Sequence, residues 1–127
     1  MKQIKRNLSE DEAGWLAETV RQTIEHRAVM RRALRDRSRK SPGAMTIRYL
    51  EDVLRSLEAH PPVSLMLDLR ETDALTALAG RLAGSATNIR ASSKIDRDDD
   101  SYSGRQARFY DETAAAITAA LGAQVGG

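Results

Sequence analysis

The chain has 127 residues, enough for one domain with a modest core, and 41% of them are hydrophobic while 30% are charged. A net charge of +2 and a pI near 9.2 make it mildly basic, so where the charge sits matters more than its sum. The absence of cysteine excludes disulfides, thiolate metal sites and thiol nucleophiles, and the few aromatics (Trp 1, Tyr 3, Phe 1) leave an aliphatic and alanine-rich interior that favours close-packed helices.

Leu8-Ser9-Glu10-Asp11-Glu12 is a helix start. Ser9 can cap the Glu12 amide, Glu12 can reach back to Ser9, and three acids meet the positive end of the helix dipole. Ala13, Leu16, Ala17, Val20, Ile24 and Ala28 keep helical spacing, and the pattern continues through Leu34. Ser41-Pro42-Gly43 breaks it, with Ser41 and Pro42 suited to the cap and first position of a second helix. That helix carries Ile47, Leu50, Leu54 and Leu57, widened by Val53, until Pro61-Pro62. Residues 9–60 therefore read as a long antiparallel helical hairpin.

Beyond the prolines the period changes to two. Val63, Leu65, Leu67 and Leu69 share one face of an expected strand over 63–69. A third helix is expected over about 71–83, with Ala74, Leu75, Leu78, Ala79 and Leu82 inward and Gly84 as its stop. This junction echoes the start of the chain: Leu69, Glu71 and Ala74 align with Leu8, Glu10 and Ala13, so residues 4–8 are also expected to be a short strand entering a helix. Residues 85–104 show no sustained period and read as a long polar loop with a short strand around Ile95. Tyr110, Ala114, Ile117 and Leu121 return to helical spacing, giving a C-terminal helix over 105–122 closed by Gly122.

The densest charge lies in residues 27–40, "RAVMRRALRDRSRK", seven cations against Asp36. Arg27, Arg31 and Arg35 fall four residues apart, on one face of a helix. Two readings compete: a solvated face whose cations suit the helix dipole, and an anion grip, which the excess of arginine over lysine favours. Duplex DNA is disfavoured because the break at 41–43 joins helices that look antiparallel instead of crossed, and single strands because Tyr49 is the one aromatic nearby. Asp96, Asp98 and Asp100 open like a calcium loop, but Ser101 stands where glycine is required and Ala107 where the bidentate glutamate is required, so no metal is expected.

A second basic set, Asn88, Arg90, Lys94, Arg105 and Arg108, flanks a stretch of serines and tyrosines, the side-chain types that hold a phosphorylated ligand. Neither a phosphate-binding G-x-x-x-x-G-K-S/T loop nor a G-x-G-x-x-G turn occurs. His26 and His60 have no serine and carboxylate placed for a triad, and Glu18, Glu25, Glu51 and Glu58 read as ion-pair partners of helix arginines. Neither catalysis nor a cofactor is expected. No stretch approaches the roughly 20 apolar residues that cross a bilayer, and the opening Met-Lys-Gln-Ile-Lys-Arg leads into a polar segment, so a cytoplasmic protein with no membrane partner is expected.

The opening "IKRNLSEDEAGWLAETV", a short strand into a long helical hairpin, resembles the start of many small proteins of phages and their actinobacterial hosts. The whole layout, a long hairpin, a small strand element and an arginine-bearing polar loop, is similar to the Thoeris anti-defence sponges. The resemblance implies an oligomer that sequesters a cyclic nucleotide signal without cleaving it; no site residue is carried over.

The expectation is a mostly helical α+β single domain: a hairpin over 9–60, a strand and helix over 63–84, a polar loop over 85–104 and a helix over 105–122. Its leading function is a non-catalytic homo-oligomer that captures a nucleotide-like anion through Arg90, Arg105 and Arg108, with Asn88, Lys94, Arg27, Arg31 and Arg35 in support. Trp15 and Met30 are the expected contacts between copies. The alternatives are a nucleic-acid-binding regulator using the basic end of the first helix, and a structural or adaptor protein.

Overall fold

The computed structural model describes residues 2–59, 62–93 and 101–126. The protein is mostly helical α+β, as expected: strand β1 (Gln3–Leu8), helices α1 (Glu10–Ala33) and α2 (Pro42–Ala59), strand β2 (Val63–Asp68), and helices α3 (Thr72–Ser93) and α4 (Tyr102–Gly126). β1 and β2 pair antiparallel, Ile4 opposite Leu67 and Leu8 opposite Val63. Alternation then places Leu8, Leu65 and Leu67 in the core and leaves Lys5, Asn7 and Met66 outside. On that outer face Ser64 Oγ donates to Asn7 Oδ1 at 2.8 Å.

The capping box at Ser9 forms: Glu12 N donates to Ser9 Oγ at 3.2 Å, and Ser9 N to Glu12 Oε1 at 2.9 Å. The buried residues of α1 are Ala13, Leu16, Ala17, Thr19, Val20 and Thr23, with none beyond Thr23. Beyond Ile24, which still packs against the core, the helix leaves it. It ends in a Schellman closure, in which Arg35 N donates to Arg32 O at 3.1 Å and Asp36 N to Arg31 O at 2.9 Å. Arg35 takes the left-handed conformation of that motif, φ 55°.

Ser41 caps α2 as expected, accepting from Ala44 N at 3.1 Å, and Pro42 opens the helix. Asp36 organises this corner. It accepts from Ser41 Oγ at 2.5 Å, Arg31 Nε at 3.2 Å and Ser38 N at 3.1 Å. The Ser41 hydroxyl, with the Arg31 guanidinium and Ser38 amide adding to it, holds the Asp36 carboxyl below the usual carboxylate range. Gly43 keeps the corner close, because a Cβ there would lie 3.3 Å from Asp36 Oδ2. Leu50, Val53 and Leu57 seat α2 on α1, and Arg21 bridges to Glu58 at 2.7 Å. Asp68 N donates to the Tyr49 hydroxyl at 2.9 Å, tying α2 to β2.

Two expectations are corrected. α3 does not stop at Gly84 but runs on to Ser93, so residues 85–93 are helix and not loop. Its core stripe continues through Ala86 and Ile89, and Gly84 lies on the exposed side with a helical backbone. α4 begins at Tyr102, capped by Ser101 Oγ, which accepts from Gly104 N at 3.1 Å, and it passes through Gly122. The expected strand around Ile95 and the acidic run 96–100 lie outside the described residues.

α1 packs on α2 and α3 on α4, and one hydrophobic cluster draws on all six elements. Trp15 joins the two helix pairs: its indole donates to the Tyr102 hydroxyl at 2.7 Å, with the rings edge to face at 5.4 Å, and Phe109 lies 5.7 Å away. Trp15 is thus engaged within the chain, whereas Met30 is exposed.

Candidate anion-binding groove

Where α1 crosses α3 a polar groove of about 440 Å³ opens. Gln22, Thr23, His26 and Arg27 form the α1 wall, and Ala77, Arg81, Gly84, Ser85 and Asn88 the α3 wall. The α1 set recurs at helical spacing on the face just beyond the last buried residues. On α3, positions 77, 81, 84, 85 and 88 make one continuous stripe because the helix does not stop at Gly84. A Cβ added to Gly84 would meet nothing within 4 Å, so the glycine widens the groove instead of relieving a clash.

The charge of the groove is one-sided. Arg27 and Arg81 face it from opposite walls, each half-buried, and among the described residues no carboxylate lines it. Among the described residues the ion pairs are Arg21 with Glu18 and Glu58, Arg31 with Asp36, Arg55 with Asp52, Arg70 with Asp68, and Arg90 with Asp111. Neither groove arginine belongs to any of them. A partly desolvated guanidinium without a counter-ion favours an incoming anion. Gln22, Asn88 and Ser85 add amide and hydroxyl groups able to orient a ligand, while the Thr23 hydroxyl is spent on Thr19 O at 2.8 Å. His26 and Ser85 share the groove, and among the described residues lining it none is a carboxylate that could orient the imidazole.

The expected site residues do not form one cluster. Asn88 and Arg27 meet in the groove. Arg90 lies two residues beyond Asn88, about 200° around the helix, and binds Asp111 of α4 at 2.5 Å. Arg105 and Arg108 line a separate cleft of about 340 Å³ with Asp11, Glu12, Glu112, Trp15 and Phe109, where three carboxylates oppose an anion. Arg31 is held in the hairpin corner, its Nη2 donating to Ser38 O at 2.9 Å. Arg35 lies past the end of α1, so the expected stripe of Arg27, Arg31 and Arg35 is not a helical face. Lys94 lies outside the described residues. The sequence reading missed Gln22, Arg81 and Ser85 as site residues and left His26 as structural; the spacing of Arg81, Ser85 and Asn88 was the available signal, hidden by ending the helix too early.

A shallow trough of about 860 Å³ on the outer side of α3 and α4 is lined by Ala79, Gly80, Ala83, Ala114 and Ala115. Its charged group, Asp111, is neutralised by Arg90, and it offers little to orient an anion. Among the described residues no group of three or more His, Asp or Glu is placed to hold a metal ion, and no helix is long and apolar enough to cross a membrane. Compared with protein families, with curated proteins and with solved structures, the chain matches none.

Proposed function

We propose that the protein is a non-catalytic, oligomeric binding protein that captures a nucleotide-like phosphorylated ligand in the groove between α1 and α3, in the manner of a sponge for a cyclic nucleotide signal. One observation carries this reading: Arg27 and Arg81, half-buried and outside every ion pair among the described residues, converge on a groove that no described carboxylate lines. A phosphate placed between them gains charge-assisted hydrogen bonds from both walls. Gln22, Ser85 and Asn88 supply directional contacts to the sugar or base, and the groove volume lies within the ordinary range for small-molecule sites. Self-association is supported by the α3–α4 trough, a face of small residues whose Asp111 is already paired with Arg90, so that it can meet its own copy with little like-charge repulsion.

The test is thermal unfolding against a panel of linear and cyclic nucleotides, followed by recovery of the bound ligand. A ligand present at about a hundredfold over its Kd contributes roughly 2.7 kcal/mol. The expected result is a raised Tm with at least one nucleotide, recovered chemically unchanged, and loss of the shift in Arg27→Gln and Arg81→Gln. No shift with any nucleotide, or recovery of a cleaved product, contradicts the proposal. Native mass spectrometry of the same samples reports the number of chains and any retained ligand together.

A further inference from the structure

The end of the α1–α2 hairpin stands apart from the groove and from the core. Large hydrophobic side chains exposed among the described residues are Val29, Met30, Leu34, Met45, Met66 and Tyr102. The first four belong to this end, and Leu34, at the cap of α1, is 75% exposed. Around them stand Arg32, Arg35, Arg37, Arg39 and Lys40, all exposed, and Arg48 of α2 joins them by donating to Arg39 O at 2.9 Å. The acid within this segment, Asp36, is consumed by Ser41, Arg31 and Ser38. An exposed apolar surface therefore shares this end of the hairpin with six cations, and among the described residues none of the six is in an ion pair.

Arg35 adds an independent observation. It fills the left-handed position of the Schellman closure, where glycine is the unstrained residue. Its guanidinium makes no hydrogen bond or ion pair among the described residues that would offset the strain. A side chain kept at a backbone cost, and without a partner among the described residues, is available for a contact outside the chain.

We propose that this hairpin end docks an acidic, amphipathic segment of a partner protein, with apolar side chains seated on Leu34, Met30 and Met45 and carboxylates paired with the surrounding arginines. Three features select this partner. Five of the six cations are arginine, whose planar fork pairs with carboxylates in two-point contacts and is enriched at protein interfaces, where lysine is depleted. Two of the four apolar side chains are methionine, which adapts to a partner's surface. A duplex bound by its phosphates has no use for an apolar centre, and a second copy presenting the same surface brings six cations against six. The partner is thus a chain carrying both leucine-type side chains and acids.

The probe is a synthetic helical peptide with leucines at i, i+3, i+4 and i+7 and glutamates beside them, followed by fluorescence anisotropy against the full chain. Its controls carry lysine for glutamate or serine for leucine. The acidic leucine peptide is expected to bind in the micromolar range, both controls to bind roughly tenfold or more weakly, and the pairs Met30→Ser with Leu34→Ser and Arg37→Glu with Arg39→Glu each to weaken binding by about tenfold. These positions are exposed, so circular dichroism should show an unchanged fold. No binding of the acidic peptide overturns the proposal, as does binding that survives both variant pairs. Duplex DNA binding through this end, lost with Leu34→Ser while the peptide fails, assigns the surface to nucleic acid instead.

Discussion

Arg35 holds a left-handed backbone conformation that costs an ordinary L residue roughly 1–2 kcal/mol. Its amide and that of Asp36 close the end of α1, so the conformation is imposed by the hydrogen bonds of the motif and not by the arginine itself. Arg35→Gly should therefore raise stability by about 1 kcal/mol in urea unfolding, with an unchanged denaturant slope. Asp36, one residue on, makes the corner sensitive to acid. Its folded carboxyl titrates below the unfolded value, so the stability it contributes is present above about pH 4 and is lost as the pH falls through the folded value. Asp68 follows the same sign, lowered chiefly by the Arg70 side chain. Asp36→Asn should lower the Tm at neutral pH and make the Tm less dependent on pH below about 4; an acid limb identical to that of the parent chain removes Asp36 from the account.

At the scale of elements, α3 carries the clearest lesson about what a sequence discloses. The capping box at Ser9, the Ser41-Pro42 start of α2 and the alternation of β2 were legible because each rests on contacts within a few residues. The pairing of residues 4–8 with 63–68 was half legible: the strand was expected from the junction echo, its partner was not. Gly84 misled because glycine ends helices when it supplies a left-handed residue, and here it does not. The stripe that continues through Ala86 and Ile89 is short of large side chains, so burial against α4 and the Arg90–Asp111 pair, both tertiary, sustain the helix. The candidate site was lost with it, since Arg81, Ser85 and Asn88 share a face only when 85–93 is helical. Gly84→Ala tests this directly. Its Cβ enters open space, so about 0.5–1 kcal/mol of added stability is expected from helix propensity, measured by chemical unfolding. Destabilisation would show that residue 84 is not mid-helix.

For the whole molecule, α1 has two jobs divided along its length. Its first half is buried against both helix pairs and fixed by the ring contacts of Trp15, whereas its second half carries the groove wall and then the cationic hairpin end. The groove therefore sits at the boundary between a rigid core and a helix segment free of it, with both arginines anchored on regular helix. Under the proposed function, backbone held in that way would place the two guanidinium groups before a ligand arrives and so lower the ordering cost of binding. The expectation of a loop site at Arg90, Arg105 and Arg108 gives way to this arrangement because Arg90 serves the α3–α4 contact and the other two look into an acidic cleft.

An amide-resolved NMR titration with a nucleotide that raises the Tm locates the proposed ligand on the molecule. With the ligand in the groove, shifts are confined to the backbone around Gln22, Thr23, Arg27, Arg81, Ser85 and Asn88 and are abolished in Arg81→Gln. Shifts centred on Arg105 and Arg108, or spread over the hairpin end at residues 34–40 with the groove silent, would contradict that location.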